Sequence, residues 1–481
     1  MNKFIEKIKE LSHGYEVYLV GGFVRDLFLK RQNEDIDLVI NKESFKYSKK
    51  LAKAFKAKLI TLDEKTKTYR IILKDGKIRY IDISEFRANT VKEDLQARDF
   101  TINAIAFNVK NFANFKHHII LPKKNTLKDL KTKTLNTISS KSFKIDPLRM
   151  LRGFRFMAEH GFKLSKISLK QIKSNSKLIR DVAKERIKNE FSRIMAANNA
   201  SKVLKIMDKA GLLGTVFPES VKMKKASKKH YYHKGGLFEH SFKTFESAEN
   251  ILNNLKMYFP ENYIDLQKHF EADSFFSENV TRKGLIKFAA LFHDNAKPET
   301  ISFQNGKMHF FGHEEKGSQK IKEIMSILKF SKKDIEFSSF LVKHHMRLST
   351  LTRNNVVTKK AALKLFRDMG DSILDLIVIS MADWNSYKSL KFFSKGELSL
   401  QEKSLRELVK YYYDLKNAKP LEKIIDGNII MKEFSLKPGP IIGQLLKNVL
   451  VAQEEGRVSN VKEALEIISL KLTRIKKKYK I

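Results

Sequence analysis

The chain has 481 residues, so we expect several packed domains rather than one. Lysine and arginine number 94 against 54 acidic residues, and the resulting formal charge of +40 favours a polyanionic partner such as nucleic acid over a merely solubilising surface. Cysteine is absent, which excludes disulfides, thiolate zinc sites and cysteine nucleophiles and is typical of a reducing, cytoplasmic compartment; no apolar run is long enough to span a membrane.

Strand and helix patterns alternate over the first 110 residues, which predicts an α/β domain. Residues 43–55 have the apolar spacing of a helix. Asp75-Gly76 is a strong signal for the turn of a hairpin. Short runs rich in β-branched residues predict strands at 17–20, 35–40, 58–62, 69–73 and 79–83.

Long helical patterns replace the strand signals beyond about residue 126. Asp146 and Pro147 are the expected N-cap and first residue of one such helix. Most histidines lie in the helical stretch 226–390, and the interruption LKPGPIIG separates later amphipathic helices. We therefore predict four domains: an α/β head (1–135), an all-α neck (136–225), a histidine-rich helical domain (226–395) and a helical tail (396–481).

The head contains a candidate site for a nucleotide and metal ions. Gly21-Gly22, between a strand and a helix, lets backbone N–H groups approach a ligand closely. Asp35 and Asp37 lie two apart on a strand, so both carboxylates share one face and favour a hard dication such as Mg²⁺. Asp82 is the natural third carboxylate, and Glu85 the weaker candidate. Alone, each motif is more often only a turn or a solvated face.

Five segments follow one another along the first 200 residues: VGGFVRDLFL, DIDLVI, EDLQARDFTINAIAF, DPLRMLRGFRF and ERIKNEF. In this order they resemble the class II tRNA nucleotidyltransferase and poly(A) polymerase family, which includes the CCA-adding enzymes. The resemblance implies a polymerase-β-like head in which Gly21, Gly22 and Arg25 bind the nucleotide. It also implies that Asp35 and Asp37 bind Mg²⁺, with Asp82 as a further catalytic carboxylate.

Two further motifs imply how the nucleotide is recognised. By resemblance, Arg98 and Asp99 lie near the ribose and base, and Asn103 near the triphosphate. Asp146 and Arg149 lie one helical turn apart. A carboxylate accepts from the exocyclic amine of C or A, and a guanidinium donates to the adjacent ring acceptors, so this pair can reject G and U. Capping by Asp146 is the alternative. At steps of three, Arg152 and Arg155 extend the same face.

Three departures from the family pattern bear on the extent of addition. Ala97 stands where the family usually has arginine, and Ile145 where it has the glutamate that braces the template residues. Only about six residues separate Phe86 from the Glu93-Asp94 pair, where CCA-adding members carry a long flexible loop. A short connection resembles the CC-adding subgroup, so both outcomes stay open.

A second set of motifs resembles the HD-type phosphohydrolases. It comprises HYYHKGGLFEHSF, FAALFHDNAKPET, FGHEEKG, LVKHHM and ISMADWN. The resemblance implies a divalent metal, Mg²⁺, Mn²⁺ or Ni²⁺, bound by His240, His293, Asp294 and Asp383. It further implies that a second metal or a phosphate is held by His313, by His344 or His345, and by Lys297. The alternative is a domain that keeps the fold without the chemistry.

Together these motifs predict a tRNA nucleotidyltransferase that adds CMP and AMP from CTP and ATP to the tRNA 3′ end. Phosphohydrolase activity is a further expectation. The basic surface and tail would follow the acceptor arm of the tRNA by shape and phosphate. CC addition alone and poly(A) synthesis are the alternatives within the family. The alternative from another class is a metal-dependent phosphodiesterase or phosphatase with a degenerate head.

Overall fold

The chain folds into two compact units. In a computed structural model, the first unit comprises 1–222, 277–280 and 324–331, and the second 223–276, 281–323 and 332–481. The predicted boundaries of the four domains stay predictions. The structure describes residues 2–74, 78–226, 233–352, 357–388, 390, 394–419 and 421–479.

A mixed sheet of six strands forms the head of the first unit. Strands β2 and β5 are parallel, and every other neighbouring pair is antiparallel, in the order β3-β4-β5-β2-β1-β6. The strands are β1 (Val17–Val20), β2 (Asp35–Ile40), β3 (Lys58–Asp63), β4 (Thr68–Ile72), β5 (Tyr80–Glu85) and β6 (Ala106–Asn108). A separate parallel pair joins β7 (Thr134–Leu135) to β8 (Lys163–Leu164).

The five predicted strands all form, which confirms the α/β head. Apolar side chains alternate into the core along them; Leu19, Ile36, Ile71 and Ile81 are fully buried. The predicted turn at Asp75-Gly76 lies outside the described residues, and the strands on either side of it pair antiparallel as a hairpin requires.

Helices make up the rest of the first unit. Helix α7 packs against α9 and buries Phe154 and Phe191. The helices are α1 (Asn2–Glu10), α2 (Gly21–Phe28), α3 (Ser44–Ala54), α4 (Val91–Gln96), α5 (Thr126–Lys131), α6 (Ser142–Ile145), α7 (Leu148–His160), α8 (Lys166–Asn175), α9 (Lys184–Ala196), α10 (Ala200–Lys209), α11 (Leu212–Val216) and α12 (Pro218–Lys225), which continues past residue 222.

In its described residues, the second unit is helical apart from a two-stranded hairpin of β9 (Ser302–Gln304) and β10 (Lys307–His309). Its helices are α13 (Leu237–Asn253), α14 (Leu255–Tyr258), α15 (Tyr263–Phe270), α16 (Arg282–Phe292), α17 (His313–Ile327), whose last residues from 324 belong to the first unit, α18 (Lys332–Thr352), α19 (Lys359–Met369), α20 (Ser372–Ser386), α21 (Lys395–Asn417), α22 (Gly427–Phe434), α23 (Pro440–Glu454) and α24 (Val461–Tyr479).

Helices α13, α16, α18 and α20 pack together in this unit, and all four carry residues of the histidine-rich motifs. The tail helices α22 to α24 bury their own apolar cluster, which includes Ile430, Leu445 and Ile468. Among the described helices, none has the length and apolar character that crossing a membrane requires.

Candidate active site and metal centre

The sheet places the three predicted carboxylates of the head side by side. Asp35 and Asp37 lie on β2, and the parallel register sets Asp82 of β5 directly beside Asp37. Asp37 also accepts a hydrogen bond from the backbone N–H of Gly22, at 3.0 Å from Oδ2. Burial and the neighbouring Asp82 raise the pKa of Asp37 to about 6. The row therefore carries repelling negative charge that a cation would relieve.

Gly21 is required at the first position of α2 for two reasons. Its φ of +68° is a left-handed conformation that L side chains rarely adopt. A Cβ atom there would also lie 2.8 Å from Oδ2 of Asp37. The glycine thus keeps the start of the helix against the carboxylates, where N–H groups can face an anion.

Arg70 is a residue of this site that the sequence patterns did not reveal. It stands opposite Asp82 on the adjacent strand β4. Its Nε and Nη2 donate to the two carboxylate oxygens of Asp82, each at 2.7 Å. Only the register of β4 against β5 identifies this pair, because an arginine in a strand is not by itself a sign of a functional site.

Glu85, the weaker candidate for the third carboxylate, is excluded by the alternation of side chains along a strand. It lies three residues after Asp82 and so projects from the opposite face of β5. There its carboxylate accepts hydrogen bonds from Ser44 and Lys67.

Four residues predicted to bind the nucleotide form one hydrogen-bonded chain. Arg25 Nη1 donates to Asn103 Oδ1 at 2.9 Å, and Asn103 Nδ2 donates to Asp99 Oδ1 at 3.1 Å. Arg152 Nε donates to Asp99 Oδ2 at 2.9 Å. Burial alone would raise the pKa of Asp99, but the charge of Arg152 and the bond from Asn103 hold it well below its usual range. Asp99 is therefore a fixed anion.

Arg149 is anchored by two main-chain carbonyls and by the hydroxyl of Ser142. Its Nη2 donates to the carbonyl of Ala97 at 2.7 Å, and its Nη1 to that of Arg98 at 3.1 Å. The guanidinium of Arg98 in turn donates to Asp94. Ala97, where the family has arginine, thus contributes its backbone to the site.

The N-cap of α7 is Pro147, so Asp146 lies one residue before the position predicted for it. Its Oδ1 accepts from the N–H of Leu148 at 3.2 Å, and α7 begins at Leu148 rather than at Pro147 as predicted. Its Oδ2 accepts from Arg186 of α9 at 3.2 Å. Among the described side chains, no hydrogen bond joins Asp146 to Arg149.

Arg155 lies apart from the residues around Asp99. Its buried guanidinium contacts Glu190 of α9 at 3.3 Å, and burial lowers its pKa to about 10. The spacing of three residues predicted Arg155 on the nucleotide-binding face. The structure instead places it between α7 and α9, because three residues fall short of a full helical turn and successive steps rotate the side chain toward α9.

In the second unit, four of the histidines predicted to bind metal surround Asp294, and Asp383 joins the group through His240. His240 Nε2 lies 3.3 Å from Asp294 Oδ2 and 3.2 Å from Asp383 Oδ1. His293 Nε2 lies 3.2 Å from Asp294 Oδ2. On the other oxygen, Asp294 Oδ1, the Nε2 atoms of His313 and His345 lie at 3.3 and 3.6 Å.

The outer ring nitrogens of these histidines are held so that every Nε2 points inward. Nδ1 of His240 hydrogen-bonds the hydroxyl of Ser386 at 3.2 Å. The other three pair with a carbonyl three residues earlier: His293 with Ala290 (2.8 Å), His313 with Phe310 (2.7 Å) and His345 with Val342 (2.6 Å). Such second-sphere bonds fix the tautomer that leaves Nε2 free to bind a metal.

The donor set fits a divalent metal. Both oxygens of Asp294 and Oδ1 of Asp383 are buried without a hydrogen bond of good geometry, which is costly unless a cation satisfies them. Two sets of ligand atoms lie within 4.8 Å of one another: His240, His293 and Asp383, and His293, Asp294 and His345. Imidazole and carboxylate together suit a transition ion.

The structure distinguishes the two adjacent histidines. His345 belongs to the cluster, whereas His344 is half-buried against the ring of Phe340. Lys297, predicted to contact phosphate, lies with Nζ 2.6 Å from Asp294 Oδ2. The sequence patterns did not reveal His233, which is buried with its ring 5.3 Å from that of His240. Among the described residues, neither of its ring nitrogens has a hydrogen-bond partner.

Comparison with known families matches three stretches of the chain. Residues 17–136 match the Poly A polymerase head domain, and residues 161–223 match the family described as the probable RNA and SrmB-binding site of polymerase A. Residues 315–468 match tRNA nucleotidyltransferase domain 2.

Relatives of similar length support the same assignment. A CC-adding tRNA nucleotidyltransferase of Thermus thermophilus is 27% identical over 93% of this chain and 92% of its own. An A-adding tRNA nucleotidyltransferase of Deinococcus radiodurans is 24% identical over 93% of each chain. The fold resembles that of the Thermotoga maritima CCA-adding enzyme complexed with tRNA, with a TM-score of 0.64 at 21% identity over 98% of this chain and 95% of that one.

Proposed function

This chain belongs to the class II tRNA nucleotidyltransferase and poly(A) polymerase family, and we propose that it transfers CMP and AMP from CTP and ATP to the 3′ end of tRNA. The observation that carries the proposal is the row of carboxylates on β2 and β5, set against the glycine start of α2. The +40 charge and the two matched polymerase regions favour an RNA partner, bound through the acceptor arm.

Asp35 and Asp37 would hold divalent metal, and we assign Mg²⁺ to it because hard oxygen donors and substrate phosphates suit that ion. When bound, the metal promotes ionisation of the RNA 3′-hydroxyl and offsets charge on the departing pyrophosphate. The glycine start of α2 would lie against the phosphates, with the N–H of Gly22 holding Asp37, and the Asp99–Arg152 pair would position Asn103 and Arg25. Catalysis then depends on positioning and charge stabilisation.

We assign the choice of C and A to Asp146 and Arg149. The half-buried carboxylate of Asp146 retains acceptor capacity beyond its bonds to Leu148 and Arg186, since each oxygen has two lone pairs. Main-chain carbonyls hold the guanidinium of Arg149 in one place beside it. Selection without a nucleic-acid template needs such fixed donors and acceptors.

The test is an extension assay on tRNA that lacks its CCA end, with CTP, ATP and Mg²⁺, read at single-nucleotide length. Addition of three nucleotides is the expected result. Stopping after two would establish the CC-adding alternative, which the short segment after Phe86 leaves open. Long A tails would indicate poly(A) synthesis, and no extension would overturn the proposal.

The His–Asp cluster favours metal-dependent hydrolysis of phosphate esters as a second function. The observation behind this assignment is the convergence of four imidazole Nε2 atoms on the buried carboxylate of Asp294. Purified protein reconstituted with Mn²⁺, Ni²⁺ or Mg²⁺ should hydrolyse bis-p-nitrophenyl phosphate. An Asp294→Ala variant should lose this activity and retain tRNA extension; joint loss would contradict two separate sites. We place the protein in the cytoplasm, because a cysteine-free chain suits a reducing compartment.

A further inference from the structure

Arg70, Asp82 and Asp37 form a continuous row across three neighbouring strands. Arg70 of β4 is paired with Asp82 of β5, which is paired with Asp37 of β2. The guanidinium of Arg70 also lies over the ring of Tyr80, 4.6 Å from its centroid. The arginine is thus held from two sides with its planar face and its donors both engaged.

The bidentate pair occupies both oxygens of Asp82. Two charge-assisted bonds of 2.7 Å fix the carboxylate toward β4. In the described part of the chain, the three head carboxylates do not form a set whose ligand atoms all lie within 4.8 Å, whereas the His–Asp cluster does so twice. Asp82 in this arrangement serves the guanidinium rather than a shared ion.

We propose that Arg70 is the resident counter-ion of Asp82 and competes with the catalytic metal for that carboxylate. Filling the metal site of the head then requires Asp82 to exchange the guanidinium for the metal. The inference rests on the proposed function in one respect, that the head binds metal for nucleotide transfer. It adds a residue that sets metal affinity, and a purely structural role for Arg70 does not predict the same outcome.

The test is direct Mn²⁺ binding, measured by titration with electron paramagnetic resonance on the full-length protein without nucleotide. A His293→Ala background removes binding at the cluster. Arg70→Gln should tighten Mn²⁺ binding by about three- to tenfold, because a competing cation is lost. A structural role predicts the reverse, since a loosened site binds metal less well. Unchanged or weaker binding would therefore overturn the proposal.

Three companion variants separate the specific exchange from general electrostatics. Arg79→Gln removes an equal charge from an exposed pair with Glu34 and should leave Mn²⁺ affinity unchanged. Arg70→Lys keeps the charge but not the bidentate geometry, so its Mn²⁺ affinity should lie between those of the wild type and Arg70→Gln. This variant also provides a test if Arg70→Gln folds poorly. In an Asp82→Asn background, Arg70→Gln should leave the Mn²⁺ affinity unchanged. Tighter Mn²⁺ binding in that background would contradict an exchange at Asp82.

Failure of this inference is distinguishable from failure of the proposed function. If the wild type extends tRNA but Arg70→Gln leaves Mn²⁺ binding unchanged, only the proposed exchange at Asp82 is contradicted. If Arg70→Gln binds Mn²⁺ more tightly but the wild type does not extend tRNA, only the proposed function is contradicted. The two assays share no readout.

Discussion

The carboxylates of the head and those of the His–Asp cluster have different neighbours. In the head, Asp82 accepts two bonds from Arg70, and Asp37 accepts one from the N–H of Gly22. In the cluster, Asp294 and Asp383 face imidazole nitrogens at 3.2 to 3.8 Å, and Nζ of Lys297 lies 2.6 Å from Asp294 Oδ2.

This difference indicates two kinds of metal site. A site whose charges are balanced by arginine and backbone can fold without metal and exchange it during turnover, as a site that also binds substrate phosphates must. A site in which several imidazole nitrogens converge on buried carboxylates gains stability from a resident ion. We therefore expect weak, exchangeable metal in the head and retained metal in the cluster.

The largest expected effect comes from removing the metal-binding carboxylates of the head. Asp35→Asn/Asp37→Asn should reduce nucleotide addition by on the order of 10³-fold or more, because metal stabilisation of the transition state is worth several kcal/mol. The measurement is single-turnover tRNA extension. Metal content of the purified variant, read by mass spectrometry, should remain; its loss would mean that the comparison of two separate sites is wrong.

Metal removal should distinguish the two sites by stability. Chelation should destabilise the second unit by about 2.7 kcal/mol if the ion had been present at 100 times its Kd, since metal binds only the folded state. Thermal unfolding with and without EDTA measures this. Asp294→Ala should abolish the response, and His344→Ala, adjacent to the cluster but outside it, should preserve it. A response that persists in Asp294→Ala would place the stabilising ion elsewhere.

Breaking the Asp99–Arg152 pair should cost less. Arg152→Ala leaves the buried Asp99 without its main charge partner, and we expect a loss of about 2 to 3 kcal/mol, reduced from the fully buried case because Arg152 is partly exposed. Denaturant unfolding gives the value. Adding Asp99→Asn should recover part of the loss; strict additivity of the two changes would show that the pair does not interact.

The glycine turn offers a matched pair of substitutions. Gly21→Ala should cost roughly 1 to 2 kcal/mol from its left-handed backbone and should displace Asp37, lowering addition about tenfold. Gly22→Ala is the control, because its Cβ would lie 3.5 Å from Asp37 Oδ2, an ordinary contact distance. Equal effects of the two on extension rate would show that the approach to Asp37 is not what requires glycine.

The smallest expected effect is a pH dependence of metal binding in the head. Asp37 has a raised pKa of about 6, so it is ionised above that pH and protonated below it. Mn²⁺ affinity should be full at neutral pH, fall about twofold by pH 6 and decline further below. Titrations in the His293→Ala background measure this, and in an Asp37→Asn variant the fall in Mn²⁺ affinity near pH 6 should disappear. A flat profile between pH 5 and 7 would contradict the assignment.

Much of the head could be predicted because its chemistry is local in sequence. Asp35 and Asp37 share a face wherever a strand forms, and Gly21 marks a turn by its own conformational freedom. The predicted family and the polymerase-β-like head are confirmed. The ligands of the cluster could be predicted only through the resemblance, because they are spread from His240 to Asp383 and no spacing rule joins them.

The amino-acid sequence by itself determined the α/β head, the carboxylate pair and the choice of donor types, because these follow from side-chain chemistry and from the two-residue period of a strand. Tertiary structure alone decided that Arg70 pairs with Asp82, that Arg155 pairs with Glu190 and that His345 rather than His344 joins the cluster. Each of these depends on the register between strands or on the rotation of one helix against another, and neither is encoded in the spacing of residues along a single element.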